Sequence, residues 1–470
     1  MRISIHYAIV EQLQELLGKE YVSNDFETCQ EYGHDETENL SFPPSLLLKP
    51  RTSEEIAEIL KIANEHKIPV TAIGGQTGLS GGALCVRQGI GLSMERFNQI
   101  IEIDQNNLQV TVEPGVITQV LRDAVAQVGL FYPPDPSSQG SCFIGGNIAE
   151  NAGGARALKY GVTRDYVLNL EVVLPNGEIM WTGANTLKNS TGYNLTHLMV
   201  GSEGTLGIVT KIVLKLLPQN KHNILILVPF FDATEACQAV AKIFQAGIVP
   251  SALEFMERDA IDWTLKYVDG ISIEIKDEVQ AHLLIEVDGN YPDMLFSEIE
   301  KIAAVVEQFS IDEILFADTE DQKNALWKLR RAVNEAVKAN STYKEEDTVV
   351  PRYELPKLLS GIKSIGKKYN FKTVCYGHAG DGNLHINIIK GELTDHEWKY
   401  EIPKAIREIF ELTVSLKGTL SGEHGIGYVQ KSYMDIAFSR NHLLLMKSIK
   451  NVFDPNGILN PGKIFPDGLK

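Results

Sequence analysis

Apolar and polar residues alternate along the first part of the chain with two different periods. Apolar residues recur at helical spacing in 6–17 and again in 54–66, and acidic residues open the second stretch. This pattern predicts two helices, the second with a favourably charged N-terminal turn. Short apolar runs at 45–50 and 68–73 are bounded by turn residues and predict strands. Together these stretches predict a strand–helix–strand unit.

The same reading continues to residue 216. It predicts a strand at 110–116, a helix at 118–128 and another strand at 208–216. Residues 168–181 carry alternating apolar positions on both sides of an Asn-Gly pair, which predicts a β-hairpin. Pro218 and the polar residues after it then predict a domain boundary.

Beyond this boundary glycine becomes rarer, and helices and strands follow one another in mixed order. Such an order predicts an α+β domain with an antiparallel sheet, and α+β is the fold class predicted for the chain. The predicted strands are 224–229, 252–256, 281–287 and 314–317, and the predicted helices are 233–246, 294–309 and 321–339.

Three glycine-rich stretches interrupt the first half. Residues 74–82, GGQTGLSGG, directly follow a predicted strand and carry no charge. Dense glycines let the backbone approach a ligand, and successive N–H groups can converge on an anion such as a pyrophosphate. The stretch has neither the Gly-Lys-Ser/Thr of a nucleotide P-loop nor the spacing of a nicotinamide-binding turn. The other two glycine-rich stretches are 144–154 and 201–208. A flexible surface turn is the alternative to ligand binding for 74–82, and tight backbone packing is the alternative to ligand binding for 144–154.

Charge and cysteine content narrow the function classes. The chain of 470 residues has a net charge of −17 and a pI near 5.2, which argues against nucleic acid or an anionic membrane as a partner. Its five cysteines are widely spaced and lack a C-x-x-C pair, as expected for reduced thiols. No apolar stretch is long enough for a transmembrane helix, and no secretory signal is recognised. We therefore expect a cytoplasmic protein.

A cluster of histidines and acids near the C-terminus predicts the chemistry. His378 and His385 flank the turn Gly380-Asp381-Gly382-Asn383, and a fold-back at this turn would bring both rings to one place. Glu423-His424 lies further along, between glycines. Two histidines and a glutamate form a ligand set for a catalytic divalent metal, with His424 left for proton transfer. The alternative is a set of ordinary core or surface histidines.

These motifs together resemble one family. The chain is similar to the FAD-linked 2-hydroxy-acid dehydrogenases of the vanillyl-alcohol-oxidase (PCMH-type) flavoprotein superfamily, which includes D-lactate dehydrogenases, the glycolate oxidase flavin subunit and D-2-hydroxyglutarate dehydrogenase. The resemblance extends from about residue 45 to 465. It is carried by 74–82, Pro134-Asp135-Pro136, 145–154, 201–207, 377–387, 421–427 and Leu459-Asn460-Pro461-Gly462-Lys463.

The resemblance implies FAD held between two α+β subdomains, residues 1–218, completed by a returning C-terminal segment, 426–470. Residues 219–425 would form a substrate or cap domain that carries the metal site. Members with covalent FAD often attach it through a histidine in the first glycine loop; Gln76 stands in that loop here, so we expect non-covalent FAD. The implied FAD-binding residues are Gly74, Gly75, Gln76, Thr77, Gly78, Ser80, Gly81, Pro134, Asp135, Ser138, Gly145, Gly146, Asn147, Asn151, Gly153, Gly154, Glu203, Gly204, Ile208 and Asn460.

The family also implies that His378, His385 and Glu423 bind zinc or a similar ion. A D-2-hydroxy acid would bind this metal, His424 would take the hydroxyl proton, and hydride would pass from the α-carbon to flavin N5. Arg330 would pair with the substrate carboxylate, with an ion pair on a surface helix as the alternative. Asn387 would also face the substrate. These assignments predict oxidation of D-lactate, a similar acid or glycolate.

Several alternatives stay open. Lys344 offers a second cation for a dicarboxylate such as D-2-hydroxyglutarate, but the neighbouring Glu345-Glu346-Asp347 departs from that pattern. An alkylglycerone-phosphate-synthase-like transferase uses the same fold and FAD without net oxidation. A non-catalytic FAD-binding subunit would be expected to lose the metal residues, and a metal hydrolase would leave the glycine loops unexplained. The expected partners are a quinone, cytochrome or electron-transfer flavoprotein as electron acceptor and a second copy of the chain, with peripheral membrane association open.

Overall fold

The computed structural model describes residues 5–270 and 273–469 of the chain. The outer limits of the predicted domains, residues 1 and 470, lie outside these ranges. The chain divides into two compact units. The first unit contains Met1–Gly153, Val162–Gln219 and Glu423–Lys470, and the second contains Gly154–Gly161 and Asn220–Gly422.

Helices occur throughout the described residues. No described helix is long and apolar enough to cross a membrane. The α-helices are α1 (Tyr7–Leu17), α2 (Phe26–Glu31), α3 (Ser53–Glu65), α4 (Thr118–Ala126), α5 (Ile144–Glu150), α6 (Ala157–Tyr160), α7 (Leu195–Met199), α8 (Ala233–Gln245), α9 (Arg258–Tyr267), α10 (Pro292–Val306), α11 (Glu320–Arg331), α12 (Val333–Asn340), α13 (Leu355–Tyr369), α14 (Asp395–Tyr400), α15 (Ile402–Ser415), α16 (Met434–Ala437) and α17 (Arg440–Phe453).

Strands form separate sheets in the two units. The strands are β1 (Val22–Ser23), β2 (Leu46–Leu48), β3 (Val70–Ile73), β4 (Ile90–Ser93), β5 (Ile100–Asp104), β6 (Gln109–Val112), β7 (Leu130–Phe131), β8 (Val167–Val173), β9 (Ile179–Trp181), β10 (Ile208–Lys215), β11 (Leu217–Pro218), β12 (His222–Phe230), β13 (Ala252–Glu257), β14 (Ala281–Gly289), β15 (Leu315–Ala317), β16 (Tyr343–Val349), β17 (Lys372–Gly377) and β18 (Asn383–Ile389).

The first unit contains two main sheets. One has the order β1-β2-β4-β3, with β2 and β3 both parallel to β4. The other is antiparallel, with the order β5-β6-β10-β8-β9. Helix α3 begins with a capping box, in which Thr52 and Glu55 each accept a hydrogen bond from the other's backbone N–H. Its apolar face packs into the core beside β2, β3 and β4.

The C-terminal segment of the chain adds to the first sheet. The Val70 N–H donates to the carbonyl of Ile458 over 2.8 Å, and the Asn460 N–H donates to the carbonyl of Val70 over 2.8 Å. Leu459 is fully buried in the same core. Asn460 is therefore held beside the strand that leads into the first glycine loop.

The second unit is built on one antiparallel sheet, with the order β15-β12-β14-β13-β17-β18-β16. Its central strands are almost continuously apolar and buried, as expected when helices cover a sheet. Strands β17 and β18 form a hairpin in which Tyr376 lies opposite His385. The mixed helices and antiparallel sheets confirm the predicted α+β class.

One element was not predicted from the sequence, and another was wrong in detail. Residues 144–150 form helix α5, because Ile144, Asn147 and Ile148 share a buried face that outweighs the poor helix propensity of two glycines. The predicted helix at 321–339 is divided at Ala332, whose ψ of −1° departs from helical geometry. Neither glycine nor proline marks this break in the sequence. All five cysteines are buried free thiols.

Candidate functional site

A cleft in the first unit is lined by residues from all three glycine-rich stretches. The empty space within it, including the part open to solvent, is about 760 Å³. Of the predicted FAD-binding residues, those in its wall are Gly74, Gly145, Gly146, Glu203, Gly204, Ile208 and Asn460.

Two of these glycines leave space that any side chain would occupy. A Cβ at Gly146 would meet nothing within 4 Å, and one at Gly74 would approach other atoms only to 3.9 Å. By contrast, a Cβ at Gly75 would lie 2.5 Å from the Ser141 carbonyl oxygen, and one at Gly145 would lie 2.5 Å from Cβ of Pro114. The loops therefore pack on one another and present bare backbone to the cleft, which suits a large flat ligand such as FAD.

Gly146→Leu is expected to block this cleft without unfolding the unit. The new side chain enters open space from a helical position, so overlap with the ligand should lower FAD affinity about 10–100-fold. Thermal stability of the FAD-free protein should stay unchanged or rise, because leucine favours the helix. Flavin content after purification and the melting temperature of the FAD-free protein measure both effects.

Gly145→Ala is the matched control. Its methyl group would overlap Pro114, so it should destabilise the FAD-free protein by about 1–3 kcal/mol. Equal FAD affinity of Gly146→Leu and the wild type would contradict the assignment of the cleft.

The predicted residues outside the cleft wall mainly shape the loops. The Gln76 amide donates to the carbonyls of Glu31 and His34, and the Ser80 carbonyl accepts from the N–H of Tyr428. In the other positions, Gly81 donates its N–H to Thr37, Asn147 donates to the Thr118 hydroxyl, and Asn151 caps α5. Pro134, Asp135 and Gly153 are buried, Thr77, Gly78 and Ser138 are half-buried, and Gly154 belongs to the second unit.

Two buried carboxyl groups line the cleft, and one buried ammonium group, that of Lys463, lies near enough to influence their charge. Glu203 accepts the N–H groups of Ile426 and Gly427, each over 2.8 Å. Glu150 also lines the cleft, and its Oε2 has no hydrogen-bond partner among the described residues. Burial and the charge of Glu203 raise the pKa of Glu150 well above its usual value. Burial likewise lowers the pKa of Lys463 to about 8.

Glu150→Gln is expected to remove a pH-dependent cost of folding. The folded-state pKa of Glu150 is raised, so the stability linked to its proton is complete below pH 4.5 and is lost as the pH rises toward the raised pKa. Relative to the wild type, the variant should therefore gain free energy of unfolding as the pH rises from 4.5 to 8. Urea unfolding of the FAD-free proteins measures this, with exposed Glu58→Gln as control. A pH-independent difference would contradict it.

The second unit brings the two predicted metal-binding histidines together. His378 follows β17, and His385 lies on β18 beyond a short turn in which Gly382 has a φ of 88°. Their ring centroids are 5.6 Å apart, and both side chains are buried. The predicted fold-back is confirmed.

A carboxylate lies behind each ring. Nδ1 of His378 lies 2.9 Å from each oxygen of Glu254, whose side chain is fully buried on β13. Nδ1 of His385 lies 3.2 Å from Oε1 of Glu345. A carboxylate that accepts from Nδ1, as Glu254 does at His378, orients the imidazole and leaves its Nε2 available to a metal, whereas the Glu345 contact is a charge approach to His385 only. The donor set of this unit therefore fits a divalent metal.

Arg330 lies beside this pair rather than on the surface. Its side chain is 4% exposed, and Nη2 lies 2.7 Å from Oε2 of Glu254. The guanidinium lies 5.1 Å from the ring centre of Tyr376, which in turn stacks on His385 at 5.2 Å. A surface ion pair along one helix, the alternative considered from the sequence, was wrong for Arg330.

Asn387 is fully buried on β18, two residues beyond His385 and on the same face of the strand. Neither amide atom of Asn387 meets the geometry of a hydrogen bond with a described residue, although Tyr376 lies close enough to interact with it. Buried amides usually find partners, so an unsatisfied one favours a position that faces a ligand.

Glu423 and His424 belong to the first unit, but they directly follow the end of the second. Gly422 donates its N–H to Asp347 over 2.8 Å, and Asp347 lies opposite His385 in the β16–β18 pair. The chain therefore leaves the second unit beside the strand that carries His385. Within the first unit, Nε2 of His424 lies 3.9 Å from Oε1 of Glu423.

Sequence reasoning missed the residues that support the site. Glu254 was recognisable as the single acid inside the otherwise apolar run 252–256, a position where a charge needs a partner. Tyr376 and Glu345 carried no comparable signal, because each becomes informative only through the pairing of its strand with the next.

Comparisons with known proteins agree with this geometry. Residues 44–183 match the model of an FAD binding domain, and residues 219–464 match the C-terminal domain of FAD linked oxidases. p-Cresol methylhydroxylase has a similar fold, with a TM-score of 0.76 and 19% identity over 97% of this chain and 96% of its own. The chain thus belongs to the family of FAD-linked oxidases and has the PCMH-type fold predicted for it.

Closer relatives are known by sequence. The chain is 40% identical to the glycolate oxidase subunit GlcD of Bacillus subtilis, over 97% of this chain and 96% of the relative. It is 38% identical to the D-lactate dehydrogenase of Anaerostipes hadrus, over 97% of each chain. The chain is therefore an FAD-linked oxidoreductase of the 2-hydroxy-acid dehydrogenase type.

Proposed function

We propose that the protein oxidises a D-2-hydroxy acid, D-lactate-like or glycolate, to the 2-oxo acid, with FAD as the acceptor of hydride. The observation that carries this proposal is the grouping of buried Arg330 with two carboxylate-backed histidines in an FAD-linked oxidase. A cation and a metal site together match the carboxylate and hydroxyl of such a substrate.

The residues divide this work. Arg330 binds the substrate carboxylate, and Asn387 offers its side-chain amide to the same molecule. His378, His385 and Glu423 hold a divalent metal, which we propose to be zinc. His424 would accept the proton of the substrate hydroxyl as the α-carbon is oxidised. When bound, a metal held by these residues would lower the pKa of the hydroxyl, and non-covalent FAD would supply the acceptor for the hydride, that is, for two electrons and one proton.

The position of Lys344 supports a small substrate over a dicarboxylate. Glu345 and Asp347 on β16 both face His385. Lys344 is adjacent to Glu345 in this strand, so its side chain points to the opposite face. Its ammonium group lies 5.4 Å from the ring centre of Trp398. D-2-Hydroxyglutarate therefore stands as the second candidate, without Lys344 as its anchor.

The two electrons have to leave the flavin again after each turnover, with release of the proton that came with them. We propose an external acceptor for these electrons: a quinone, a cytochrome that takes them one at a time, or an electron-transfer flavoprotein. We further propose that the protein is a cytoplasmic homo-oligomer. When the acceptor is a quinone, the protein would lie at the inner face of the membrane as a peripheral protein.

Anaerobic mixing of FAD- and zinc-loaded protein with single hydroxy acids tests the function. D-lactate or glycolate should bleach the visible flavin band, and L-lactate should not. Bleaching by D-2-hydroxyglutarate alone would favour the second candidate. A flavin that stays oxidised with every acid would reject the dehydrogenase and favour the transferase alternative.

A further inference from the structure

The carboxylate of Glu254 has two cationic or proton-donating neighbours. Oε2 lies 2.7 Å from Nη2 of Arg330, and both oxygens lie 2.9 Å from Nδ1 of His378. Glu254 is fully buried, and both partners are 4% exposed. One side chain therefore contacts a residue assigned to substrate binding and a residue assigned to metal binding.

We propose that Glu254 is a positioning residue that fixes the spacing between the substrate-binding cation and the metal site. The inference rests on the proposed function, from which it takes the roles of Arg330 and His378. It predicts that one change at Glu254 weakens both metal binding and substrate binding.

The chemistry of the carboxylate explains why one group serves both partners. Ionised glutamate offers two acceptor oxygens, so it can take a hydrogen bond from Nδ1–H of His378 and pair with the guanidinium of Arg330 at once. The first contact holds the imidazole in the tautomer whose Nε2 has a free lone pair. Glutamine offers one acceptor oxygen, and its amino group would face a donor.

A second contact holds the same guanidinium from the other side. Arg330 lies over the Tyr376 ring, and that ring stacks on His385. Arg330 is thus connected to the first histidine through Glu254 and to the second through Tyr376. Loss of Glu254 would leave the guanidinium with the aromatic contact and without its counter-charge, free to move away from His378.

A buried ion pair can also be purely structural, and the same sheet contains such a pair. Glu286 on β14 is 1% exposed, accepts from Trp327 over 3.0 Å and pairs with Arg156 at 3.2 Å. None of the described contacts of Glu286 is with His378 or His385. Glu286→Gln is therefore a control of matched burial, chemistry and location.

The experiment compares Glu254→Gln, Glu254→Asp and Glu286→Gln as FAD-loaded proteins. Competition with a chromophoric chelator gives the zinc Kd, and steady-state assays at saturating zinc give KM and kcat for the D-acid that reduces the wild type. Glu254→Gln should raise the zinc Kd about 10–100-fold and raise KM at least about tenfold. Glu286→Gln should leave both values within about twofold of the wild type, whatever it costs in stability.

Glu254→Asp keeps two acceptor oxygens on a shorter side chain, so its zinc Kd, its KM or both should lie closer to the wild-type values than those of Glu254→Gln. It also serves as the test if Glu254→Gln does not fold. A side chain too short to reach both partners should weaken zinc or substrate binding, whereas Glu286→Gln should weaken neither. The inference would be overturned by an unchanged zinc Kd and KM in the Glu254 variants, or by equal losses of both in Glu286→Gln. In either case, zinc binding by the wild type would leave the proposed function standing. A wild type that binds no zinc would overturn the metal site itself.

Discussion

His378→Asn should remove the bound metal and lower kcat/KM for the D-2-hydroxy acid by about 10³-fold, since metal polarisation of the hydroxyl supplies several kcal/mol to the transition state. The ring of His378 is fixed by Glu254 and lies against His385, so asparagine cannot place a nitrogen in the same position. Zinc per protein and kcat/KM measure the two losses together.

His282→Asn is the control for this change. His282 is 1% exposed in β14 of the same sheet, and burial lowers its pKa to about 4, so it is neutral at pH 7. It should lose stability through a poorly filled core and retain zinc and kcat/KM. Zinc retained at wild-type stoichiometry in His378→Asn would reject this histidine as a ligand.

Arg330→Lys is expected to raise KM for the hydroxy acid about 10–100-fold, because lysine keeps the charge but loses the two-pronged hydrogen bonding to a carboxylate. An ammonium group can still pair with Glu254, so the fold should survive. The maximal rate should fall less than KM rises, since the substrate still reaches the metal. Steady-state kinetics at saturating zinc separates the two parameters.

Arg331→Lys provides the comparison one residue along the same helix. Arg331 is exposed, and its guanidinium lies 5.3 Å from the ring centre of Trp327. Its replacement should leave KM within about twofold of the wild type. If Arg330→Lys and the wild type share the same KM, the substrate carboxylate is bound elsewhere.

Local patterns carried much of the fold. The acidic first turn of α3, the Asn-Gly turn between β8 and β9 and the helical period of α1 are all local, and each predicted its element. Helix α5 was not predicted because its glycines oppose a helix locally, and the packing of Ile144 and Ile148 outweighs them.

The site divides in the same way. The proximity of the two histidines could be predicted because glycines frame them and the turn between them forces a fold-back. Glu254 lies 124 residues before His378, and strand pairing within the sheet brings them together. Nothing in a single sequence specifies that pairing. The contacts that support the two histidines are therefore a property of the sheet.

The most direct test of the central claim is anaerobic single-turnover reduction of the flavin by the active D-acid, before and after removal of the metal. Protein treated with a chelator should keep its FAD and stay oxidised, and stoichiometric zinc should restore bleaching at the original rate. Full-rate bleaching of metal-free protein would contradict a metal-assisted oxidation and leave binding and deprotonation of the substrate to Arg330 and the histidines alone.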